Sequence, residues 1–288
     1  MRPVRPRLTR QERQEERAAQ EQELARQQAV TARRQWRHLV APTAEDAVDA
    51  SVPWARVYRR LRACRAPREH FDLAWRLLHG ALMCGGFRVY LLGGAGRAPP
   101  EEVGCPHHDA GDQPLETVSH LFLECPVAAG LMAWVAGLWA LVTGGAPPCT
   151  AAVFLMGDLR VWRPRQDLQL LWDRFRLAAL YVIWSRRCAA RRAGVPGCVS
   201  AAVAHLVFVM QRQIRADWLR CQLDAARAVD AGVPWFRGGK LRRLTVEGFR
   251  SRWCVRDVLC SVHEEQGAGA AGVGSRLVMR VRPSLVQL

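Results

Sequence analysis

The tightest constraint on this chain is a set of two cysteines and two histidines placed within residues 105–125. Cys105-Pro106-His107-His108 is followed by the run Glu116 to Pro126, so the pattern reads C-x2-H-x11-H-x4-C. Two close ligand pairs joined by a longer loop is how a chain supplies the four soft or borderline donors of a tetrahedral zinc shell. A plainer reading exists, a buried free cysteine with surface histidines, because cysteine also behaves as a small hydrophobe. The spacing favours zinc held by Cys105, His108, His120 and Cys125, with His107 or Asp109 as substitutes for His108.

Local chemistry supports that pairing. Thr117 or Ser119 can cap a short helical turn carrying His120. On an unbroken α-helix, positions 120 and 125 would diverge by about 140°, too far to share one ion. Pro126 offers the remedy: the residue before proline avoids the α region, and proline suits the first position of a new helix. Cys125 is therefore expected at a break between two helices. On the other side, Gly104 and Pro106 favour a tight turn presenting Cys105 and His108.

The run from Glu116-Thr117 through His120-Leu121 to Cys125-Pro126, then Ala128, Leu131 and Trp134, resembles the zinc-binding domain at the C-terminal end of non-LTR retrotransposon reverse transcriptases. Phe71 to Leu82 (FDLAWRLLHGAL) is similar to that family's Trp-Arg-Leu-x-His-x-x-Leu segment. The resemblance spans residues 54 to 142, and its Glu-Thr-to-Cys-Pro part is the specific one. His108 stands where the family has its second cysteine. The resemblance implies a structural zinc and a module that helps bind template RNA or target DNA.

The formal net charge is +16, which suits a polyanion partner. The excess comes from 41 arginines and the single Lys240, a bias that GC-rich coding also produces. No apolar run follows the first basic residues, so ten cysteines read as reduced thiols and metal ligands in an intracellular protein, the nucleus included. Residues 1–40, with arginine and glutamate dominating, read as a solvated helix or disordered arm.

Helical spacing recurs through most of the chain, so the expected fold is mainly α with little β. Residues 54–143 read as the zinc-stabilised helical module: Trp54, Val57, Tyr58 and Leu61 form one stripe, Phe71, Trp75, Leu78 and Leu82 another. His79 falls off the second stripe and reads as a surface or structural residue. Phe87 to Leu92 reads as a small strand, and Val127 to Val142 as a buried helix anchored by Trp134, Leu138 and Trp139, short of a membrane span. After a boundary at Gly144 to Pro148, residues 150–266 read as a helical domain. Its long helices, Leu168 to Arg192 and Val203 to Cys221, are expected to run antiparallel. Residues 267–288 read as a flexible tail, with Leu277 to Val281 as an edge strand or part of it.

Two basic clusters are candidate nucleic-acid contacts: Arg186, Arg187, Arg191 and Arg192, and Arg242, Arg243, Arg250 and Arg252 in the run Arg237 to Arg256, where Phe249 and Trp253 are interleaved. The first also suits a helix C-terminus, and the second a charged helix docking Phe249, Trp253 and Leu259. Cys254, Cys260 and His263 echo the first half-motif without a fourth ligand. Polymerases gather carboxylates around paired metal ions, and no Asp-Asp pair exists here. The sequence therefore reads as a non-catalytic, zinc-dependent nucleic-acid-binding protein without a membrane span. The alternatives are a helical protein–protein module, dimerising or docking a partner through the long helices, and a non-functional retroelement relic.

Overall fold

Proline and glycine punctuation sets most of the helix limits in the structure, a computed structural model. It describes residues 53–91, 103–109, 113–160, 162, 164–165, 168–230, 244–265 and 274–286, with the helical, exposed positions 11, 14, 19 and 20. The rest of the 1–40 arm lies outside the described residues, as do Arg242 and Arg243. Pro53 and Pro67 precede α1 (Trp54–Ala63) and α2 (Arg68–Leu78). Helix α3 (Gly85–Leu91) is short, and Pro126 opens α4 (Pro126–Thr143), which Gly144 ends with a left-handed φ of +88°. Gly194, at φ +65°, ends α5 (Gln169–Ala193) before α6 (Val199–Asp230). Helix α7 (Val246–Trp253) begins differently, with a hydroxyl cap: the Thr245 side chain accepts from the Gly248 amide.

The chain departs from expectation after α2. That helix stops at Leu78, with Gly80 at φ +62°, and Leu82 is buried from the following loop rather than from the helix. Phe87 to Leu92, expected as a strand, falls instead in α3 up to Leu91. The reason lies in a distant residue: the Gly85 amide donates to the Glu116 carboxylate at 3.0 Å, an anion at a helix N-terminus. Gly85 is required there, because a Cβ would lie 1.9 Å from the Val103 carbonyl oxygen.

Buried side chains on both sides of the Gly144 to Pro148 segment belong to one continuous core, which runs from Trp54 to Val281. At its centre Trp139 meets Trp172 and Phe175 edge-on at 5.1 and 5.6 Å, and Trp134 and Leu138 are fully buried beside it. Helix α4 is the one described helix long and apolar enough to cross a membrane, with mean hydropathy 1.7. Its large side chains, except the exposed Leu141, pack into this core. Helices α5 and α6 pack together, with Arg174 meeting Asp217 and Tyr181 meeting His205, the reversed order of an antiparallel pair.

A buried polar knot also joins the elements. Asp173 accepts from Arg60 at 2.8 Å, while Arg176 donates to the carbonyls of Phe154 and Leu155 at 2.9 and 3.0 Å. Those carbonyls belong to a wide turn at Ala152–Met156, and buried charges persist only when paired in this way.

Of the two readings of Leu277 to Val281, the edge strand is the one the structure bears out up to Met279: β2 (Gly274–Met279) pairs antiparallel with β1 (Cys260–Glu265) and sets Val262 opposite Leu277, within the 267–288 segment expected as a flexible tail. Val281 is buried, and the Trp134 indole donates to the Pro283 carbonyl at 3.0 Å. The fold is otherwise mainly α, as the periodicity predicts.

Candidate metal centre

Two short backbone devices bring the four ligands together. In the first, the Cys105 amide donates to the Pro114 carbonyl at 2.8 Å and the Glu116 amide to Val103 at 2.9 Å. These bonds close the loop, and Cys105 and His108 project from its turn. In the second, the Thr117 hydroxyl accepts from the His120 amide at 2.9 Å, one of the two caps that the sequence offers for that turn. Residues His120–Glu124 then form a single π-helical turn, and the Cys125 amide donates to the His120 carbonyl five residues back at 2.7 Å. The wider turn removes the divergence an α-helix would impose, and such turns recur at functional sites. Cys125 itself is extended, at φ −55° and ψ 131°, immediately before Pro126.

The result is a compact donor set. One ligand atom each from Cys105, His108, His120 and Cys125 lies within 4.8 Å of every other. The two sulfurs are 3.8 Å apart and the two imidazole centroids 5.1 Å apart. Both cysteines are fully buried. The Nε2 atoms of His108 and His120 are buried without a hydrogen-bond partner among the described residues. Buried polar atoms are ordinarily paired, so orphaned imidazole nitrogens beside two thiols are what a metal shell requires. The cluster could hold a metal ion, and two sulfurs with two nitrogens suit zinc.

The thiols are electrostatically distinct. A hydrogen bond from Cys105 is the main cause holding the Cys125 thiol down at about 4; His120 and the amides opening α4 add to it, against burial. That same bond, with burial, pushes Cys105 up. A cation between them favours both as thiolates.

The remaining candidates are placed elsewhere. His107 Nδ1 accepts from the Gly197 amide at 3.1 Å, so that ring serves the α5–α6 connection, and Asp109 is exposed outside the cluster. His79 packs against Trp75 and Tyr58 at 4.4 and 5.5 Å, a structural position. Cys254 and Cys260 lie 3.7 Å apart, but His263 is exposed and bonded to Ser261, so no second metal cluster forms among the described residues.

Glu116 is the residue that the sequence did not single out for a role. It is fully buried and accepts from Arg187 at 2.6 and 2.8 Å and from Arg191 at 3.2 Å. Arg191 also donates to the Gly104 carbonyl at 2.6 Å, next to Cys105. Two arginines expected to face nucleic acid therefore turn inward and fasten the loop that carries Cys105 and His108 to α5. Arg252 is likewise occupied, donating to Asp217 at 3.1 Å, and Arg250 pairs with Glu264 at the surface. Phe249, Trp253 and Leu259 are buried, as the docking-helix reading of that segment expects. Arg186 is half-buried and Arg192 exposed.

Fold and site together define a mainly helical protein with a largely buried Cys2His2 cluster able to hold a metal ion. Compared with protein-family models, curated proteins and solved structures, the chain matches none.

Proposed function

We propose that this chain is a non-enzymatic, nucleic-acid-binding zinc protein related to the C-terminal zinc module of non-LTR retrotransposon reverse transcriptases. The observation that carries the zinc is the convergence of Cys105, His108, His120 and Cys125 to within 4.8 Å, with two imidazole nitrogens otherwise unpartnered. Four protein ligands fill a tetrahedral shell and leave no position for a reacting water, so the ion is structural. It would tie the Val103–Asp109 loop to the start of α4. The Glu-Thr-to-Cys-Pro run and the +16 charge support RNA or DNA as partner and an intracellular, nuclear location.

The test is anisotropy of labelled single-stranded RNA and DNA across a salt series. The proposal expects affinity that falls log-linearly with salt. No binding at low salt, or binding indifferent to salt, refutes it.

A second reading rests on α6. Phe208, Leu219 and Leu223 are 56%, 57% and 49% exposed and share one face of that helix. An apolar stripe of that kind suits a protein partner or a second copy. Concentration-dependent association unaffected by nucleic acid would favour it.

A further inference from the structure

We infer that the groove between the end of α4 and the segments that enter β1 and leave β2 binds a phosphate of a nucleic-acid backbone. This inference rests on the nucleic-acid reading above and gives it a location that the sequence did not indicate.

The groove has a volume of about 610 Å³, within the range of roughly 300–1,000 Å³ typical of ligand sites. Arg256, Arg280 and Arg282 line it with Ser284, over apolar surface from Leu141, Val258 and Leu285. Asp257 is the only acid among the described lining residues, so these set three guanidinium groups against one carboxylate. All three arginines are exposed. Arg280 is oriented by its Nε donating to the Ser261 hydroxyl at 3.1 Å, and its terminal nitrogens have no acceptor among the described residues. Guanidinium groups bind phosphate oxygens bidentately, and apolar surface beside them suits a sugar or base face.

The backbone supplies a second, independent sign. Arg256 and Asp257 are consecutive non-glycine residues with φ of +50° and +53°. The left-handed region disfavours such side chains, and strain of this kind collects at binding sites. Both residues line the groove. Arg256 also lies near the C-terminus of α4, its Nη1 3.7 Å from where a Cβ on Gly144 would sit. A helix C-terminus attracts a cation by itself, so Arg282 provides the cleaner probe.

The experiment compares wild type, Arg282→Gln and Arg280→Gln/Arg282→Gln for binding of a labelled single-stranded oligonucleotide. Arg59→Gln/Arg62→Gln, on exposed positions of α1, removes the same charge elsewhere. Circular dichroism and thermal melting check that each variant is folded. The expected result is about tenfold weaker binding per groove arginine removed. The salt slope should fall by about 0.7 for each lost contact on a single strand. Inorganic pyrophosphate should compete weakly for wild type and less for the groove variants. Groove variants that bind like wild type, or no better and no worse than the charge control, overturn the inference while leaving the nucleic-acid reading intact. Wild type that binds pyrophosphate through these arginines but no oligonucleotide overturns both the reading and the ligand assigned here.

Discussion

Replacing Glu116 with glutamine isolates the contribution of the buried carboxylate behind the metal loop. The substitution keeps the side-chain shape but removes the charge facing Arg187 and Arg191, and Glu116 is fully buried while Arg187 is 9% exposed at its side chain. Breaking a buried pair by removing one partner typically costs about 3–5 kcal/mol, because it strands the other charge. Stability falls by that amount in urea unfolding, and the melting temperature falls by roughly 10 °C. The pairing with Arg187 predicts strong non-additivity: Glu116→Gln with Arg187→Gln is less damaging than the two single losses summed. Because Arg191 also holds the Gly104 carbonyl, Glu116→Gln should weaken metal retention under chelator challenge. A loss under about 1 kcal/mol, with additive double-variant behaviour, would refute the role assigned to this residue.

Two further outcomes follow from the same geometry. His107→Ala should leave metal stoichiometry unchanged and lower stability by about 1–2 kcal/mol through its lost bond to Gly197, whereas His108→Ala should lose the metal; the reverse would exchange the two histidines. His70 is buried against Tyr181, and burial holds its pKa down at about 4, against 6.5 when unfolded. Between those values the unfolded chain takes up the proton first, so stability falls as pH drops from about 6.5 to 4, by about 3 kcal/mol from this site. His70→Gln should flatten that part of the unfolding-versus-pH curve, and an unchanged slope would contradict the assignment.

The ligand spacing made the metal cluster legible in the sequence, because Pro126 and the short Cys–His intervals are local signals. What lay beyond it depended on distant contacts. Glu116 finds its arginines 71 and 75 residues away, and nothing in its neighbourhood announces a buried carboxylate. Arg187 and Arg191 sit in a basic helix end, which looks the same whether they face solvent or reach inward. His107 and His108 are adjacent and chemically alike, so only the Gly197 amide separates them. The helix at Gly85–Leu91 depends on the same Glu116, and the apolar residues there fit a strand equally well. At the C-terminus the strand was legible from Leu277, but its start at Gly274 and its pairing with β1 were not, because the Gly- and Ala-rich stretch before it resembles a linker and the pairing is set by register with β1. Long, periodic helices such as α5 and α6 were legible because their stripes repeat over many turns, although the stripe of α6 was read only over Val203 to Cys221 of its Val199–Asp230 span.

Metal analysis of the purified chain tests most directly whether one ion gathers the four side chains. Wild type should carry one zinc per chain, and Cys105→Ser and Cys125→Ser should each lose it together with thermal stability. Zinc-free wild type after growth in zinc-supplemented medium, or zinc retained in both variants, would contradict the account.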